Sequence, residues 1–368
     1  MLVSAAVARD AGALLQLAEL ELDELRPDEV RVHMVATGVC HTDALVRDQV
    51  LPTPLPVVLG HEGAGVVDAV GAAVMTVEPG DHVVLGFNSC GTCAQCRAGH
   101  PAYCAAFPAL NFGGVRADGT TSLRESGASG TAVSSHFFGQ SSFATYANVA
   151  ARSVVKVPQD APLELLGPLG CGISTGAGTV LNALQPPAGS AIVIFGAGAV
   201  GCSALLAAVV AGCSEIILVD VVPARLEFAQ ELGATHAING WDEDAVAAIR
   251  RITGDGAQYA VDTTGNQRVF RQMVQSLAVR GSGALVGAAP EGTEATLDIG
   301  ALLVRSPVIS GVIEGDAVPQ TFIPLLIDLY QAGRFPFDRL IERYDFSDIN
   351  RAFADSARGE TVKPVVVF

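Results

Sequence analysis

The chain has few of the features that nucleic-acid-binding and membrane-spanning proteins need. It carries only 22 basic residues against 38 acidic ones, and a formal net charge of −16 disfavours nucleic acid and anionic membrane as partners. The apolar run over residues 191–210 contains glycines, which favours a buried strand followed by a buried helix over a membrane span. We therefore expect no nucleic-acid or membrane partner, although a local site can still bind a phosphate-bearing cofactor.

The first residues also lack a basic leader followed by a long apolar segment, so we expect no signal peptide and a cytoplasmic protein. In that reducing compartment the eight cysteines are not expected to form disulfides. Their thiols are then either packed side chains or metal ligands.

Hydrophobic periodicity divides the 368 residues into two kinds of sequence. Up to about residue 157, short apolar runs separated by glycine and proline predict a β-rich region, in which residues 29–36 alternate and place His33 towards solvent. Residues 110–139 have the composition of a loop. Further along, strands and helices alternate, as in a doubly wound parallel sheet, which predicts an α/β fold. The predicted strands are 191–195, 215–220, 257–262 and 283–287, with helices at 199–211, 223–232 and 318–332.

Four cysteines lie within 15 residues, at Cys90, Cys93, Cys96 and Cys104. Zinc prefers four soft ligands in a tetrahedron, and a closed set of four thiolates leaves no position for substrate. The spacing therefore predicts a structural zinc in the lobe 90–104. The alternative is four unrelated buried cysteines, which this density disfavours.

A second possible set is scattered: Cys40, His61 and Cys171, each beside glycine or a turn. Two thiolates and one imidazole leave a fourth zinc position open to water or substrate, as in catalytic sites. Asp43 and Glu62 are the acids expected to orient His61 and tune the metal. Taken singly, each cysteine or histidine is more commonly a packed side chain, and it is their joint occurrence with the neighbouring acids that favours a metal site.

Gly196, Gly198 and Gly201 form a G-x-G-x-x-G motif between a predicted strand and a predicted helix, with Asp220 at the end of the next strand. This context is that of a dinucleotide site, because glycines let backbone N–H groups approach a pyrophosphate. Asp220 is expected to bond the adenosine ribose and to repel a 2′-phosphate, so NAD is favoured over NADP. The simpler interpretation of Asp220 is a residue of an ordinary turn.

Together these motifs resemble the zinc-containing, medium-chain alcohol dehydrogenase family over essentially the whole chain. The segment Gly60-His61-Glu62-x2-Gly65-x5-Gly71-x2-Val74 is similar to the family's zinc signature. Residues 136–146 and 311–316 resemble the bacterial aryl-alcohol (benzyl alcohol) dehydrogenases. The resemblance implies a GroES-like catalytic domain at 1–172, a Rossmann NAD-binding domain at 173–315, and a segment at 316–368 that completes the first domain. It places the active site between the domains.

The resemblance also implies individual roles. Thr42 takes the proton of the alcohol, while zinc lowers the pKa of that alcohol and hydride passes to the nicotinamide. The remaining cofactor-binding positions are His41 and Lys363 at the pyrophosphate, Thr175 beside the nicotinamide, Val200 in the glycine motif and Arg225 near the ribose. Leu45 occupies a position where many relatives have a proton-relaying histidine, so that route is absent here.

The predicted function is thus reversible oxidation of primary alcohols, aromatic ones first, by an enzyme with two zinc ions per chain and NAD. Phe87, Phe107, Phe112, Phe137 and Phe138 are the rings expected to line an apolar substrate pocket, although each is equally well explained as core. Aliphatic or thiol-adduct alcohols are the alternative substrates, and a non-catalytic zinc- and nucleotide-binding protein is the alternative of another class. A homodimer or homotetramer is expected.

Overall fold

The structure is a computed structural model that describes residues 1–127 and 130–368. The chain forms two compact units. Unit one consists of Met1–Cys171, Val318–Asp328 and Asp338–Phe368, and unit two of Gly172–Ala317 and Leu329–Phe337. The sequence prediction assigns 1–172 and 316–368 to the first domain, whereas residue 172 and residues 316–317 and 329–337 belong to unit two. Within the described ranges, no helix has both the length and the apolar character needed to cross a membrane.

Unit one is built mainly from strands. Its strands are β1 (Leu2–Ala8), β2 (Gln16–Leu22), β3 (Glu29–Gly38), β4 (Val57–Val58), β5 (Gly63–Val70), β6 (His82–Leu85), β7 (Leu123–Glu125), β8 (Ala132–Val133), β9 (Tyr146–Ala150) and β10 (Val154–Lys156), with β17 (Ile341–Asp345) and β18 (Lys363–Val367) near the C-terminus. Its helices are α1 (His41–Arg47), α2 (Ala94–Arg97), α3 (Phe107–Phe112), α4 (Leu163–Leu166) and α12 (Ile349–Arg358), with 3-10 turns at Pro101–Tyr103, Phe137–Gly139, Ala151–Ser153, Gly167–Gly170 and Phe346–Asp348.

Strand β3 organises the larger sheet of this unit. The sheet has the order β10-β6-β5-β3-β18-β17, and β9 also pairs with β3. The predicted alternation is confirmed, since Val30, Val32 and Met34 are buried while His33 is exposed. Antiparallel pairing of Val365 with Gly38 brings the last strand beside β3. A smaller sheet has the order β4-β1-β2-β7-β8.

The prediction of a loop at residues 110–139 is only partly correct. The segment contains the end of α3, the short strands β7 and β8 and the turn Phe137–Gly139. These strands were not recognisable because they are only two or three residues long. Pairing of β7 with β2 stabilises them, which is a tertiary effect. Residues 128 and 129 of that predicted loop lie outside the described residues.

Unit two is a parallel sheet with helices. Its strands are β11 (Ala191–Phe195), β12 (Glu215–Asp220), β13 (His236–Asn239), β14 (Ala257–Asp262), β15 (Leu277–Leu285) and β16 (Val308–Gly311). Its helices are α5 (Gly172–Gly178), α6 (Ala199–Ala211), α7 (Pro223–Leu232), α8 (Ala245–Thr253), α9 (Gln267–Ser276) and α10 (Ile299–Arg305), with a π-helical segment at Thr179–Leu184 and a 3-10 turn at Glu314–Asp316. Helix α11 (Pro319–Gln331) has residues in both units.

The strand order β13-β12-β11-β14-β15-β16 is that of a doubly wound sheet, so the α/β prediction is confirmed. The chain order reverses between β11 and β14, and ligands of such sheets bind outside the carboxyl ends of the strands near that point. The predicted strand at 283–287 is wrong in its bounds, because the chain enters β15 directly from α9 at Leu277. Gly281 and Gly283 obscure the apolar pattern of this strand in the sequence.

Candidate metal centres and cofactor site

The four cysteines of the lobe 90–104 converge in unit one. One ligand atom from each lies within 4.8 Å of the others. The sulfurs of Cys90 and Cys96 are 4.0 Å apart, close to the separation of about 3.8 Å between tetrahedral thiolates at about 2.3 Å from zinc. The backbone N–H groups of Thr92 and Cys93 donate to Cys90 Sγ and lower its pKa to about 5. Burial raises the pKa of Cys96 to about 11.

This donor set fits one zinc ion, because it contains four sulfurs and one of them is already stabilised as a thiolate. Arg152 joins the lobe to the rest of unit one by donating from Nε to the carbonyl of Ser89 at 2.9 Å. Gly91 adopts a φ of +72°, and the guanidinium of Arg152 lies 2.5 Å from where a Cβ of residue 91 would be. Glycine is therefore required at this bend of the lobe.

The scattered set also converges. Ligand atoms of Cys40, His61, Glu62 and Cys171 lie within 4.8 Å of one another. Cys40 caps the N-terminus of α1, His61 lies just before β5, and Cys171 follows the 3-10 turn Gly167–Gly170. The sequence separates these residues by as much as 131 positions, and only the fold brings them together.

Asp43 holds the first two members of this set in place. It is fully buried, and its Oδ1 lies 3.0 Å from Nδ1 of His61 while its Oδ2 accepts from the backbone N–H of Cys40 at 3.0 Å. Oδ1 also accepts from the N–H of Gly60. One carboxylate thereby orients the imidazole and the start of α1, as acids behind metal-binding histidines do.

The charge states favoured in the scattered set of Cys40, His61 and Cys171 also suit a zinc ion. Hydrogen bonding from Cys171 lowers the pKa of Cys40 against the effect of burial, and the charge of Lys363 adds to this. Burial lowers the pKa of His61, but the carboxylate of Asp43 and the thiolate of Cys40 raise it well above its ordinary value. Nε2 of His61 is buried and has no hydrogen-bond partner among the described residues. Nε2 of His61 lies beside two thiols, and a carboxylate fixes the other ring nitrogen. This combination of one imidazole nitrogen and two sulfurs is a donor set that zinc prefers.

Lys363, which the resemblance places at the cofactor pyrophosphate, is paired with Glu62 within the chain. Its side chain is 2% exposed, and its Nζ donates to Oε1 of Glu62 at 2.7 Å and to the carbonyl of Val39 at 3.3 Å. Burial raises the pKa of Glu62, and the ammonium opposes this rise. A charged amine leaves water only when it is paired, so Lys363 compensates the carboxylate behind the metal ligands.

Two phenylalanines cover the imidazole of His61. Phe138 stacks on it with ring centroids 4.5 Å apart, and Phe137 meets it edge-on at 5.4 Å. Both belong to the turn 136–141, where Phe138 has a φ of +54°. Gln140 fixes this turn, since its Nε2 donates to the carbonyls of His61 and Gly86 and its Oε1 accepts from the N–H of Gly63. From the sequence, residues 136–146 were marked as a family resemblance and Phe137 and Phe138 were named as pocket rings, but the role of Gln140 was missed.

The glycine motif of unit two lies at the carboxyl end of β11, as expected. Gly196 has a φ of +98°, and a Cβ on Gly201 would collide with the carbonyl of Gly196. Gly198 caps the N-terminus of α6, with open space around its Cα. The Asp220 carboxylate accepts from the N–H groups of Ala197, Val221 and Val222. Asp220 and the first glycine line one pocket of about 380 Å³.

The other predicted site residues lie as follows. Thr42 is half-buried, with Oγ1 3.8 Å from Cys40 Sγ, and His41 is exposed. Thr175 donates to Glu314 at 3.4 Å, and Nε of Arg225 is buried with no hydrogen-bond partner in the described part of the chain. Val200 lies in the first turn of α6, next to Gly201.

Comparison with known proteins places these observations in a family. Residues 26–159 match the alcohol dehydrogenase GroES-like domain, and residues 199–332 match the zinc-binding dehydrogenase domain. The geraniol dehydrogenase of Castellaniella defragrans is 46% identical over 99% of this chain and 97% of its own length. The crystal structure of benzyl alcohol dehydrogenase from Acinetobacter calcoaceticus is 49% identical, with a TM-score of 0.97 over 100% of this chain and 99% of that one.

A zinc-binding-domain alcohol dehydrogenase protein from Burkholderia ambifaria is 55% identical, with a TM-score of 0.98 over 100% of this chain and 99% of its own. Identity at this level over the full length, together with both domain matches, establishes the family. The chain belongs to the zinc-dependent, medium-chain alcohol dehydrogenase family.

Proposed function

We propose that this protein oxidises primary alcohols reversibly to aldehydes with NAD as the hydride acceptor, and that aromatic alcohols such as benzyl alcohol are its preferred substrates. The observation that carries the proposal is the set Cys40, His61 and Cys171 with Phe138 stacked on its imidazole. In this arrangement, a donor set that could hold a catalytic metal lies next to the aromatic ring of Phe138.

The metal roles divide between the two cysteine sets. Zinc held by Cys40, His61 and Cys171 supplies Lewis acidity towards the alcohol oxygen, whereas zinc held by the four-cysteine lobe has a structural role. Asp43 keeps the imidazole in one orientation. Thr42, whose Oγ1 lies 3.8 Å from Cys40 Sγ, would accept the alcohol's proton while its own hydroxyl proton passes to a ribose hydroxyl of the bound cofactor. NAD bound at the glycine turn would supply the hydride acceptor, so that a C=O bond replaces the C–H and O–H bonds of the alcohol.

Support for an aromatic substrate comes from the phenylalanine cluster. Phe112 meets Phe138 edge-on at 5.2 Å, and Phe107 meets it at 6.2 Å. Phe137 and Phe138 are buried in the core of unit one, whereas Phe107 and Phe112 are only partly buried. The two deeper rings therefore hold the metal ligand, and Phe107 and Phe112 are the candidates for contact with a substrate ring.

NAD is supported by the glycine turn and by Asp220. Oδ1 of Asp220 accepts from the backbone N–H groups of Val221 and Val222 and Oδ2 from that of Ala197, so the carboxylate is held in place and Oδ2 keeps one lone pair for a ribose hydroxyl. A 2′-phosphate beside it is repelled.

Geraniol is a second candidate substrate, because the full-length similarity to a geraniol dehydrogenase supports it. Geraniol and benzyl alcohol are both primary alcohols whose carbinol carbon is bonded to an unsaturated carbon. A saturated alcohol such as ethanol lacks the π-system that the phenylalanine rings would contact.

We also propose a homo-oligomer. Helix α10 exposes Ile299, Leu303 and Val304 at 82%, 84% and 78% of their surface, and the neighbouring β16 is the last strand of its sheet. Adjacent apolar side chains and a sheet edge favour pairing with a second copy. Light scattering on the protein and on Leu303→Glu tests this, and an unchanged dimeric or tetrameric mass in the variant would place the interface elsewhere.

The decisive experiment for the activity follows NADH absorbance with benzyl alcohol, geraniol and ethanol. We expect kcat/KM for benzyl alcohol to exceed that for ethanol by about two orders of magnitude, since burying an aromatic ring contributes about 2–3 kcal/mol. A higher value for geraniol than for benzyl alcohol would reject the aryl preference but leave the dehydrogenase activity. A higher value for ethanol, or for a thiol adduct of formaldehyde, would reject both unsaturated classes.

A further inference from the structure

The only tryptophan of the chain is unusually exposed. Trp241 has 73% of its surface accessible to solvent and lies in the turn that follows β13 in unit two. Its backbone N–H donates to Oδ1 of Asn239 at 3.0 Å, which fixes the turn. Large aromatic side chains are normally mostly buried, so an exposed indole on an ordered turn calls for a functional explanation.

Trp241 lines the same pocket of about 380 Å³ as Asp220. The pocket lies at the carboxyl ends of parallel strands, because β12 pairs with β13 in a register that sets Asp220 opposite Asn239. The remaining wall is formed by residues following β12 and β14, among them Val221, Asn266, Arg268 and Val269. Its walls therefore combine an indole and aliphatic side chains with one carboxylate, one guanidinium and several neutral polar side chains.

We propose that Trp241 is the surface on which the adenine ring of the cofactor stacks. This inference depends on the proposed NAD-linked function, in which Asp220 bonds the adenosine ribose. A planar purine gains from contact with an indole face, and it also shields that indole from water. Val221 and Val269 provide apolar contacts in the same pocket, and Arg268 provides a guanidinium that can lie against a ring.

The side chains that line the pocket also indicate which part of the cofactor contacts Trp241. Asp220 repels phosphate and accepts hydroxyl donors, so the pocket suits a nucleoside rather than a phosphate group. Ligands that contain adenosine should therefore reach Trp241, whereas a ligand with only the nicotinamide half should not.

Tryptophan fluorescence of the zinc-loaded protein tests this directly, because all tryptophan emission comes from Trp241. NAD, ADP-ribose and AMP should each change the emission saturably, with midpoints that match the Kd values from calorimetry. Nicotinamide mononucleotide should leave the emission unchanged. We expect Trp241→Ala to weaken ADP-ribose binding about tenfold, as loss of one stacked base typically does. Trp241→Phe keeps a ring and should stay within about threefold of the parent.

Two failures are distinguishable. If calorimetry shows that ADP-ribose binds with the same Kd to the parent and to Trp241→Ala, and its binding leaves the emission unchanged, the stacking role is overturned and NAD binding stands. If calorimetry detects neither NAD nor ADP-ribose bound to the parent, the proposed NAD-linked function fails and the stacking role fails with it.

Discussion

The imidazole of His61 is held from two sides: Asp43 bonds its Nδ1 at 3.0 Å, and Phe138 stacks on its face with the ring planes inclined by 27°. Hydrogen bonding fixes the rotation of the ring about its Cβ–Cγ bond, while stacking fixes the plane. The proposed metal ligand is thereby positioned before any metal binds, which is the arrangement that favours tight binding.

We expect Phe138→Ala to accelerate zinc loss from the Cys40–His61–Cys171 set about tenfold, because residues that orient metal ligands typically contribute 10–100-fold in affinity. The same change should lower the free energy of unfolding by about 3 kcal/mol through the cavity that it leaves. Release of zinc to a chromogenic chelator measures the first effect. Phe346→Ala, which removes a ring packed on Phe368 instead, is the matched control. Equal release rates in the two variants would mean that the stacking does not position His61.

The two proposed zinc ions should differ in lability. The four-cysteine lobe is a closed set, whereas the other set keeps a position through which the metal can exchange. Metal analysis after brief chelation should therefore find about one zinc ion per chain, with activity lost. Cys93→Ser should mainly lower thermal stability and Cys171→Ser mainly activity. A single zinc in the untreated protein would exclude the two-site assignment.

Asp220→Ser should shift cofactor use. Removal of the carboxylate takes away the ribose hydrogen bonds and the repulsion of a 2′-phosphate. We expect kcat/KM for NAD to fall about tenfold or more and that for NADP to rise, since one charge-assisted hydrogen bond contributes about 1.5–3 kcal/mol. Steady-state kinetics with both cofactors measures this change. An equal use of NADP by the unmodified enzyme would show that Asp220 does not discriminate.

We expect the buried carboxylate of Glu29 to make the stability of the protein depend on pH in the acidic range. Burial raises its pKa, but hydrogen bonds from His136 and Arg116 outweigh this and lower it from 4.5 to about 2. A carboxylate whose pKa falls on folding stabilises the protein above its unfolded pKa and loses that contribution as the pH drops from about 4.5 towards 2. Glu29→Gln should therefore be less stable than the parent at neutral pH, by on the order of 3 kcal/mol. The difference in Tm should narrow below pH 4.5, and Asp28→Asn, an exposed neighbour, should show neither effect.

His41 is the candidate for proton release in the absence of a histidine at Leu45. His41 is exposed and adjacent to Thr42, and an imidazole can carry a proton between a hydroxyl group and water. Arginine is polar but cannot give up a proton, so we expect His41→Arg to retain NAD affinity and to lower kcat with a changed pH profile. Leu45→His in that background should restore part of the rate. An unchanged pH profile of kcat would assign proton release to the cofactor ribose and solvent.

Several features were predictable because they depend on local pattern. The strands Ala191–Phe195, Glu215–Asp220 and Ala257–Asp262 agree with their predicted bounds, since buried parallel strands are continuous apolar runs bounded by turn residues. The short strand β7 was not predictable, because its pairing partner β2 is about a hundred residues away. The pairing of Lys363 with Glu62 was not predictable for the same reason, since the two residues are about three hundred positions apart in the sequence.

The sequence by itself determined the donor types, the glycine turn and the alternation of strands and helices, because spacing and periodicity act over a few residues. Only the tertiary structure decided that Phe138 and Gln140 hold His61, that Lys363 neutralises Glu62, and that Trp241 shares a pocket with Asp220. These contacts join residues distant along the chain, and their partners are selected by sheet register and burial, which local sequence does not encode.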